Sequence, residues 1–130
     1  MKKKGFLLLN LIAALVLMLS ACAPAGGAGD VIKVGGIAEL TGDIPAVGAS
    51  FKNAAEMAVQ EINDAGGLEV GGKKYKIELI IEDNAGKADQ SASAAQKLIT
   101  QDNVVAIVGP NASRYAIPAS EIAESSSVVL

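Results

Sequence analysis

Apolar residues along this chain change period several times, and each change marks a predicted element. Val31-Ile32-Lys33-Val34-Gly35-Gly36-Ile37-Ala38 is β-rich and mostly apolar, the pattern of a strand buried on both faces. Thr41-Gly42-Asp43-Ile44-Pro45 reads as a loop from its turn residues. From about Ala49 the period becomes helical. Phe51, Ala54, Ala55, Ala58, Val59 and Ile62 fall on one face, and Lys52, Asn53, Glu56, Gln60 and Glu61 take the other. Gly66-Gly67 ends that helix, because glycine readily takes the left-handed conformation past a helix C-terminus.

The alternation then repeats. Leu68-Glu69-Val70 fits a short strand, and Gly71-Gly72 turns it tightly into a main strand from Tyr75 to Glu82. Asp83-Asn84-Ala85-Gly86 is a loop. Ala88, Ala92, Ala95, Leu98 and Ile99 form a second helical stripe, broken by Asp102-Asn103. Val104 to Val108 is a third, wholly apolar strand, followed by the loop Gly109-Pro110-Asn111-Ala112-Ser113. Ala116, Ala119, Ile122 and Ala123 predict a third helix, and Val128-Val129-Leu130 the start of a fourth strand. Strands alternating with helices argue for βαβ units, a parallel sheet and right-handed crossovers. A chain that stops inside a strand-like run reads as part of a longer sequence; a short native domain ending on a strand is the competing reading.

The first residues follow another rule. Lys2, Lys3 and Lys4 precede a run, Phe6 to Leu19, that is apolar except for Asn10. The small residues Ser20 and Ala21 come next, and then Cys22, the one cysteine of the chain. This is the layout of a secretory signal peptide. Fourteen residues at ~1.5 Å each span roughly 21 Å, too short for a hydrocarbon core of ~30 Å. Leu19-Ser20-Ala21-Cys22 resembles the bacterial lipoprotein processing box, which implies lipidation of Cys22 as the mature N-terminus. A buried structural thiol is the alternative, and Ala23-Pro24-Ala25-Gly26-Gly27-Ala28-Gly29 argues against it, since it builds no core and reads as a tether. The expected organisation is a signal peptide over 1–21, a flexible lipid-anchored linker over 22–30 and a folded unit over 31–130. A diacylglycerol supplies the two chains that stable anchoring requires.

Cleavage changes the composition. It leaves 109 of the 130 residues and removes three lysines, so 8 basic residues face 14 acidic ones and the net charge moves from −3 to −6. An acidic domain is a poor partner for nucleic acid or an anionic membrane surface. About 109 residues suffice for one modest core. No thiol remains for a disulfide once Cys22 is acylated. The absence of histidine removes the commonest metal ligand and the commonest general base. No Gly-x-Ser-x-Gly elbow and no dinucleotide fingerprint appear, so no cofactor is expected and an exported hydrolase or dehydrogenase is the weaker reading.

Ligands of open α/β sheets gather beyond the carboxyl ends of the strands, where strand order reverses. Three loops qualify: Glu39 to Gly48, Asp83 to Lys87 and Gly109 to Tyr115. The third is the most informative. Asn111 and Ser113 are candidates to cap the following helix, whose N-terminus suits a carboxylate or phosphate, and the Ser113 hydroxyl can donate to that anion. Capping alone also accounts for Ser113. Arg114, the single arginine, is read as a carboxylate clamp or, more simply, a solvated or ion-paired surface residue. Asp83 and Asn84 cap and turn the backbone, and Tyr75 is a core or rim residue. Glu82 and Asp83 point to opposite faces of a strand and make a weak acid–base pair.

Several segments together resemble the leucine/isoleucine/valine-binding protein family, the amino-acid-binding lipoproteins of ABC importers. They are Leu40-Thr41-Gly42 with Gly48, Ala58 to Gly67 with its Glu-Ile-Asn-x-Ala-Gly-Gly signature, Gly72-Lys73-Lys74, Glu82-Asp83-Asn84, Gln96 to Ile99, and Val105 to Pro110 with Ser113. The resemblance implies a two-lobed type I periplasmic binding protein. Each lobe is a doubly wound α/β sheet with a parallel core, the ligand lies between the lobes, and this chain makes up most of the first. It further implies that Ser113 holds the ligand carboxylate with neighbouring backbone groups of Asn111 and Ala112, while the acidic partner of the ligand ammonium belongs to the other lobe. Val47 stands where an aromatic can touch the ligand, which leaves the ligand open: an aliphatic amino acid first, an amide, urea or aromatic acid as alternatives. The implied partners are that small molecule, ABC permease subunits and, through Cys22, the extracytoplasmic face of the cell membrane. A sensor on the same fold, or a purely structural surface lipoprotein, are the remaining alternatives.

Overall fold

The structure is a computed structural model describing residues 30–130. The expectations for the leader, Cys22 and most of the tether lie outside those residues. Four strands form one sheet: β1 (Val31–Ala38), β2 (Leu68–Val70), β3 (Lys73–Asp83) and β4 (Ala106–Val108). Their order is β2-β3-β1-β4. β1 lies parallel to both β3 and β4, while β2 is antiparallel to β3 through the Gly71-Gly72 turn. Both turn glycines have positive φ, 59° and 80°, as a tight hairpin with the native twist requires. Beyond β4, Val129 bridges Ala106 in parallel, and the Ile107 N–H donates to the Val129 carbonyl at 2.8 Å. The predicted fourth main strand thus begins where a doubly wound sheet needs it.

Three helices connect the strands: α1 (Pro45–Asp64), α2 (Ala88–Thr100) and α3 (Ser113–Ser125). The chain steps from β1 to β3 on one side, then back across β1 to β4. Right-handed crossovers therefore place α1 on one face and α2 with α3 on the other, and α2 and α3 pack closely together. The core lies under that pair. Ile37, Ala94, Ala95, Leu98, Val104, Ile107 and Ala119 form one buried cluster. Leu98 is fully enclosed, and enclosure of such a side chain contributes about 1.5–3 kcal/mol. Gly35 and Gly36 leave room on opposite faces of β1. A Cβ on Gly35 would lie 2.9 Å from Leu98 Cδ1, and one on Gly36 3.5 Å from the Phe51 ring.

The structure corrects several boundaries. α1 starts at Pro45, four residues before the helical period becomes visible, because proline is pre-organised for the first helical position. Val47 is consequently a first-turn helical residue and not part of a loop. The apolar stripe of α1 is only partly covered: Phe51, Ala55 and Val59 are half-buried, whereas Ala54 and Ala58 are exposed and Ile62 is 37% exposed. On α2 the buried line is Ser91, Ala94, Ala95 and Leu98, with Ala88 exposed. β3 extends at both ends of the predicted strand, and β4 is shorter than predicted. Val105 lies outside β4 but still donates to the Lys33 carbonyl at 3.0 Å. Tyr75 is half-buried at the rim, as expected.

Candidate functional site

β1 and β4 are neighbours, and the chain leaves them toward opposite faces of the sheet. The crevice at their carboxyl ends is the topological switch point. Three exits surround it, and side chains lash them together.

Asp83 ties the first exit to the second. Its Oδ1 accepts from the backbone N–H of Leu40 at 3.0 Å, Thr41 at 3.2 Å and Ala85 at 2.8 Å, and its Oδ2 accepts from Thr41 Oγ1 at 2.6 Å. Burial pushes the carboxyl up, but the bonds from Thr41, Ala85 and Leu40 outweigh it and hold the group below its ordinary value of 3.8. Glu82 points the other way and meets Lys97 Nζ on α2 at 2.5 Å. The two carboxylates thus have separate structural duties, which removes them as an acid–base pair.

Asn84 is fully buried and satisfied. Its Nδ2 donates to Ser91 Oγ at 2.9 Å, its Oδ1 accepts from the Gly86 N–H at 3.0 Å, and Ser91 Oγ donates to the Lys87 carbonyl at 3.0 Å. The α3 side joins this loop through Tyr115, which is 4% exposed. Its hydroxyl lies 3.4 Å from where a Cβ on Gly86 would stand. Arg114 lies over the Tyr115 ring, 4.6 Å from its centroid, and is exposed; among the described residues it clamps no carboxylate.

The third exit folds onto β1. Gly109 has φ +87°, and a Cβ there would lie 2.3 Å from the Ile37 carbonyl oxygen, so backbone approaches backbone. Asn111 then reaches back, donating from Nδ2 to Glu39 Oε2 at 3.2 Å. Glu39 is fully enclosed, and its Oε1 has no hydrogen-bond partner among the described residues. Above it sits the first turn of α1. A Cβ on Gly48 would lie 2.2 Å from the Glu39 carbonyl oxygen, so the missing side chain lets that turn rest on the end of β1.

The expected capping by Asn111 and Ser113 is not what forms. Ala112 is the N-cap of α3 in an extended conformation, and no side chain caps the helix. Its carbonyl takes the N–H groups of Tyr115 and Ala116 at 2.9 and 3.0 Å. Asn111 is spent on Glu39, and Ser113 is an exposed first-turn residue. The start of a 13-residue helix therefore faces the crevice with donors to spare and a partial positive charge. Val47, 45% exposed, lies in the first turn of α1. Asn111, Ala112 and Ser113 thus run together from the carboxyl end of β4 into α3, and Val47 belongs to a separate element, the first turn of α1. Sequence reasoning missed Glu39; its signal was a lone acidic residue directly after an apolar strand. Among the described residues no cluster of acidic or cysteine ligands forms a metal site, and no helix is long and apolar enough to cross a membrane.

Comparisons with known proteins agree with the fold. The periplasmic binding protein family profile matches residues 31–130. A Leu/Ile/Val-binding protein of Rhizobium johnstonii, BraC3, is 42% identical over 99 residues, 76% of this chain and 26% of that protein. The Streptococcus pneumoniae branched-chain amino acid transporter substrate-binding protein LivJ, solved with isoleucine, superposes with a TM-score of 0.70 at 36% identity, over 77% of this chain and 28% of that one. A solute-binding protein of an ABC transporter from Rhodopseudomonas palustris, solved with 3,4-dihydroxybenzoic acid, gives 0.65 at 33% identity, over 77% and 27%. The chain spans about a quarter of the length of the curated relatives it matches.

Proposed function

This chain belongs to the periplasmic binding protein family, and we propose that it forms the ligand-binding first lobe of an extracytoplasmic solute-binding lipoprotein of an ABC importer. Its ligand is an aliphatic, branched-chain amino acid, carried to a permease. The observation that carries the reading is the uncapped start of α3 at the switch point, with Ser113 exposed beside it. The relatives named for leucine, isoleucine and valine support the ligand class. Cys22 anchors the protein by lipid, and residues 22–30 are the tether. The work is capture and not catalysis: a second lobe closes over the ligand by hinge motion.

Calorimetry of the full-length protein with leucine, isoleucine and valine tests this. Heat with at least one of the three is expected; none with any amino acid overturns the reading. Binding of 3,4-dihydroxybenzoate instead would move the protein to the class of the Rhodopseudomonas relative. Ser113→Ala removes one hydroxyl donor to the ligand carboxylate, and about tenfold weaker binding is expected, equivalent to about 1.4 kcal/mol. Unchanged affinity would mean the backbone alone holds the anion.

One lobe supplies only part of the contact. A complex of ~1 µM represents about 8.2 kcal/mol, and half of that corresponds to roughly millimolar binding. Residues 22–130 expressed alone are expected to bind in that weak range, and micromolar binding by the isolated segment would contradict a two-lobed site.

A further inference from the structure

The Glu39 carboxylate costs the fold stability where it stands. It is fully enclosed at the end of β1, it accepts one bond, from Asn111 Nδ2 at 3.2 Å, and its Oε1 has no partner among the described residues. No Lys or Arg of the described residues lies within ion-pair distance of it. An enclosed acceptor without a donor is costly, and an apolar side chain of similar volume would avoid that cost. Breaches of this kind concentrate at functional or strained sites. The single partner of Glu39 shows which structure the carboxylate serves.

Asn111 belongs to the segment 109–112 that joins β4 to α3. At the start of that segment a Cβ on Gly109 would stand 2.3 Å from the Ile37 carbonyl oxygen, so the backbone rests on β1. Pro110 is buried. Asn111 then makes the one side-chain hydrogen bond that ties the segment to the rest of the described residues, and Glu39, 72 positions away, is its acceptor. Ala112 follows as an N-cap without a side-chain bond, and Ser113 opens α3. The start of α3 is therefore held to the end of β1 at two points, Gly109 on Ile37 and Asn111 on Glu39. Asn111 is exposed, so water competes for its NH2 group, and an enclosed acceptor in a packed setting gives that group one fixed place to bind. We propose that Glu39 is a positioning residue: through Asn111 it fixes the β4–α3 segment and so sets where Ser113 and the first N–H groups of α3 meet the ligand carboxylate. Glu39 itself touches no ligand. The inference rests on the amino-acid reading above and deepens it.

Calorimetric binding of L-leucine to the full-length protein tests it with four variants. Glu39→Leu removes the acceptor at similar volume. Asn111→Ala removes the donor and keeps the backbone N–H. The E39L/N111A double variant removes both, and Glu39→Gln keeps an oxygen for Asn111. E39L and N111A are each expected to bind about fivefold more weakly, the equivalent of roughly one hydrogen bond. The double variant is expected to match either single variant, because all three lack the same bond, and E39Q to stay within about twofold of wild type. A role in stability alone would move the urea midpoint and leave the affinity of the folded protein unchanged, so wild-type affinity in E39L and N111A overturns the proposal. Losses that multiply in the double variant overturn it as well, since the two residues would then act separately. E39Q as weak as E39L would assign the effect to charge and not to the bond, and equally overturns it. Should E39L fail to fold, N111A and E39Q decide: a loss in the first without a loss in the second supports the assignment, and wild-type affinity in N111A overturns it. If the wild-type protein binds no amino acid at all, the functional reading fails and this inference with it; leucine binding that E39L and N111A leave intact sinks this inference alone.

Discussion

Gly48→Val is expected to destabilise the lobe by about 4 kcal/mol or more, and Gly48→Ala by nearly as much. Overpacked cores usually lose 1–3 kcal/mol because side chains can move aside. Here the obstacle is backbone. The Cβ would lie 2.2 Å from the Glu39 carbonyl oxygen, 2.3 Å from its carbon and 2.9 Å from its nitrogen. Either α1 must lift from the sheet or the end of β1 must bend. Lifting α1 separates Phe51 from Gly36, and bending β1 displaces Glu39 and the exits tied to it. Gly71→Ala is the matched control. Nothing lies within 4 Å of its Cβ, so only the cost of φ +59° remains, about 1–2 kcal/mol. Urea unfolding of the three proteins reads the difference. A G48A protein as stable as G71A would mean that the first turn of α1 is not seated on β1.

That pair also marks what the sequence discloses. The β1 segment was legible because eight residues, mostly apolar, leave little choice. The glycine turn at Gly71-Gly72 was legible because its chemistry is local. The true start of α1 was not. A helix whose first turn contains proline and glycine lacks the apolar period that reveals the rest, and the reason for Gly48 is a strand end nine positions earlier. The helical period alone does not single out Ser91, since its burial depends on Asn84 across a loop. The apolar stripe of α1 is wider than the face the structure buries, because the pattern does not determine how much of a helix face finds a partner.

The candidate site divides the same way. The strand–loop–helix order predicts that Asn111 and Ala112 follow β4 and that Ser113 opens the next helix, and the structure has that order. Their roles do not follow from it. Capping is the local expectation for Asn111, and a bond to Glu39 across 72 positions overrides it. With Asn111 drawn away and Ala112 as N-cap, the start of α3 carries no side-chain cap.

Asp83→Ala is expected to cost about 3 kcal/mol and to weaken ligand binding by loosening the first exit. The carboxylate accepts four bonds, from Leu40, Thr41 twice and Ala85. Bonds to a charged acceptor contribute about 1.5–3 kcal/mol each, and Thr41 is solvent-exposed, so the sum falls well short of four full bonds. Asp83→Asn separates charge from geometry. Its oxygen still accepts the three N–H groups and its NH2 can donate to Thr41 Oγ1, so about 1 kcal/mol of loss is expected. The charge shows itself in acid. Because the bonds hold the folded carboxyl below 3.8, its contribution is complete above that value and disappears as pH falls through the lower folded value. Wild-type stability should therefore drop more steeply than that of D83N as pH falls below about 4, and the two curves should converge in acid. Parallel curves across that range would mean that Asp83 holds the loops by shape alone.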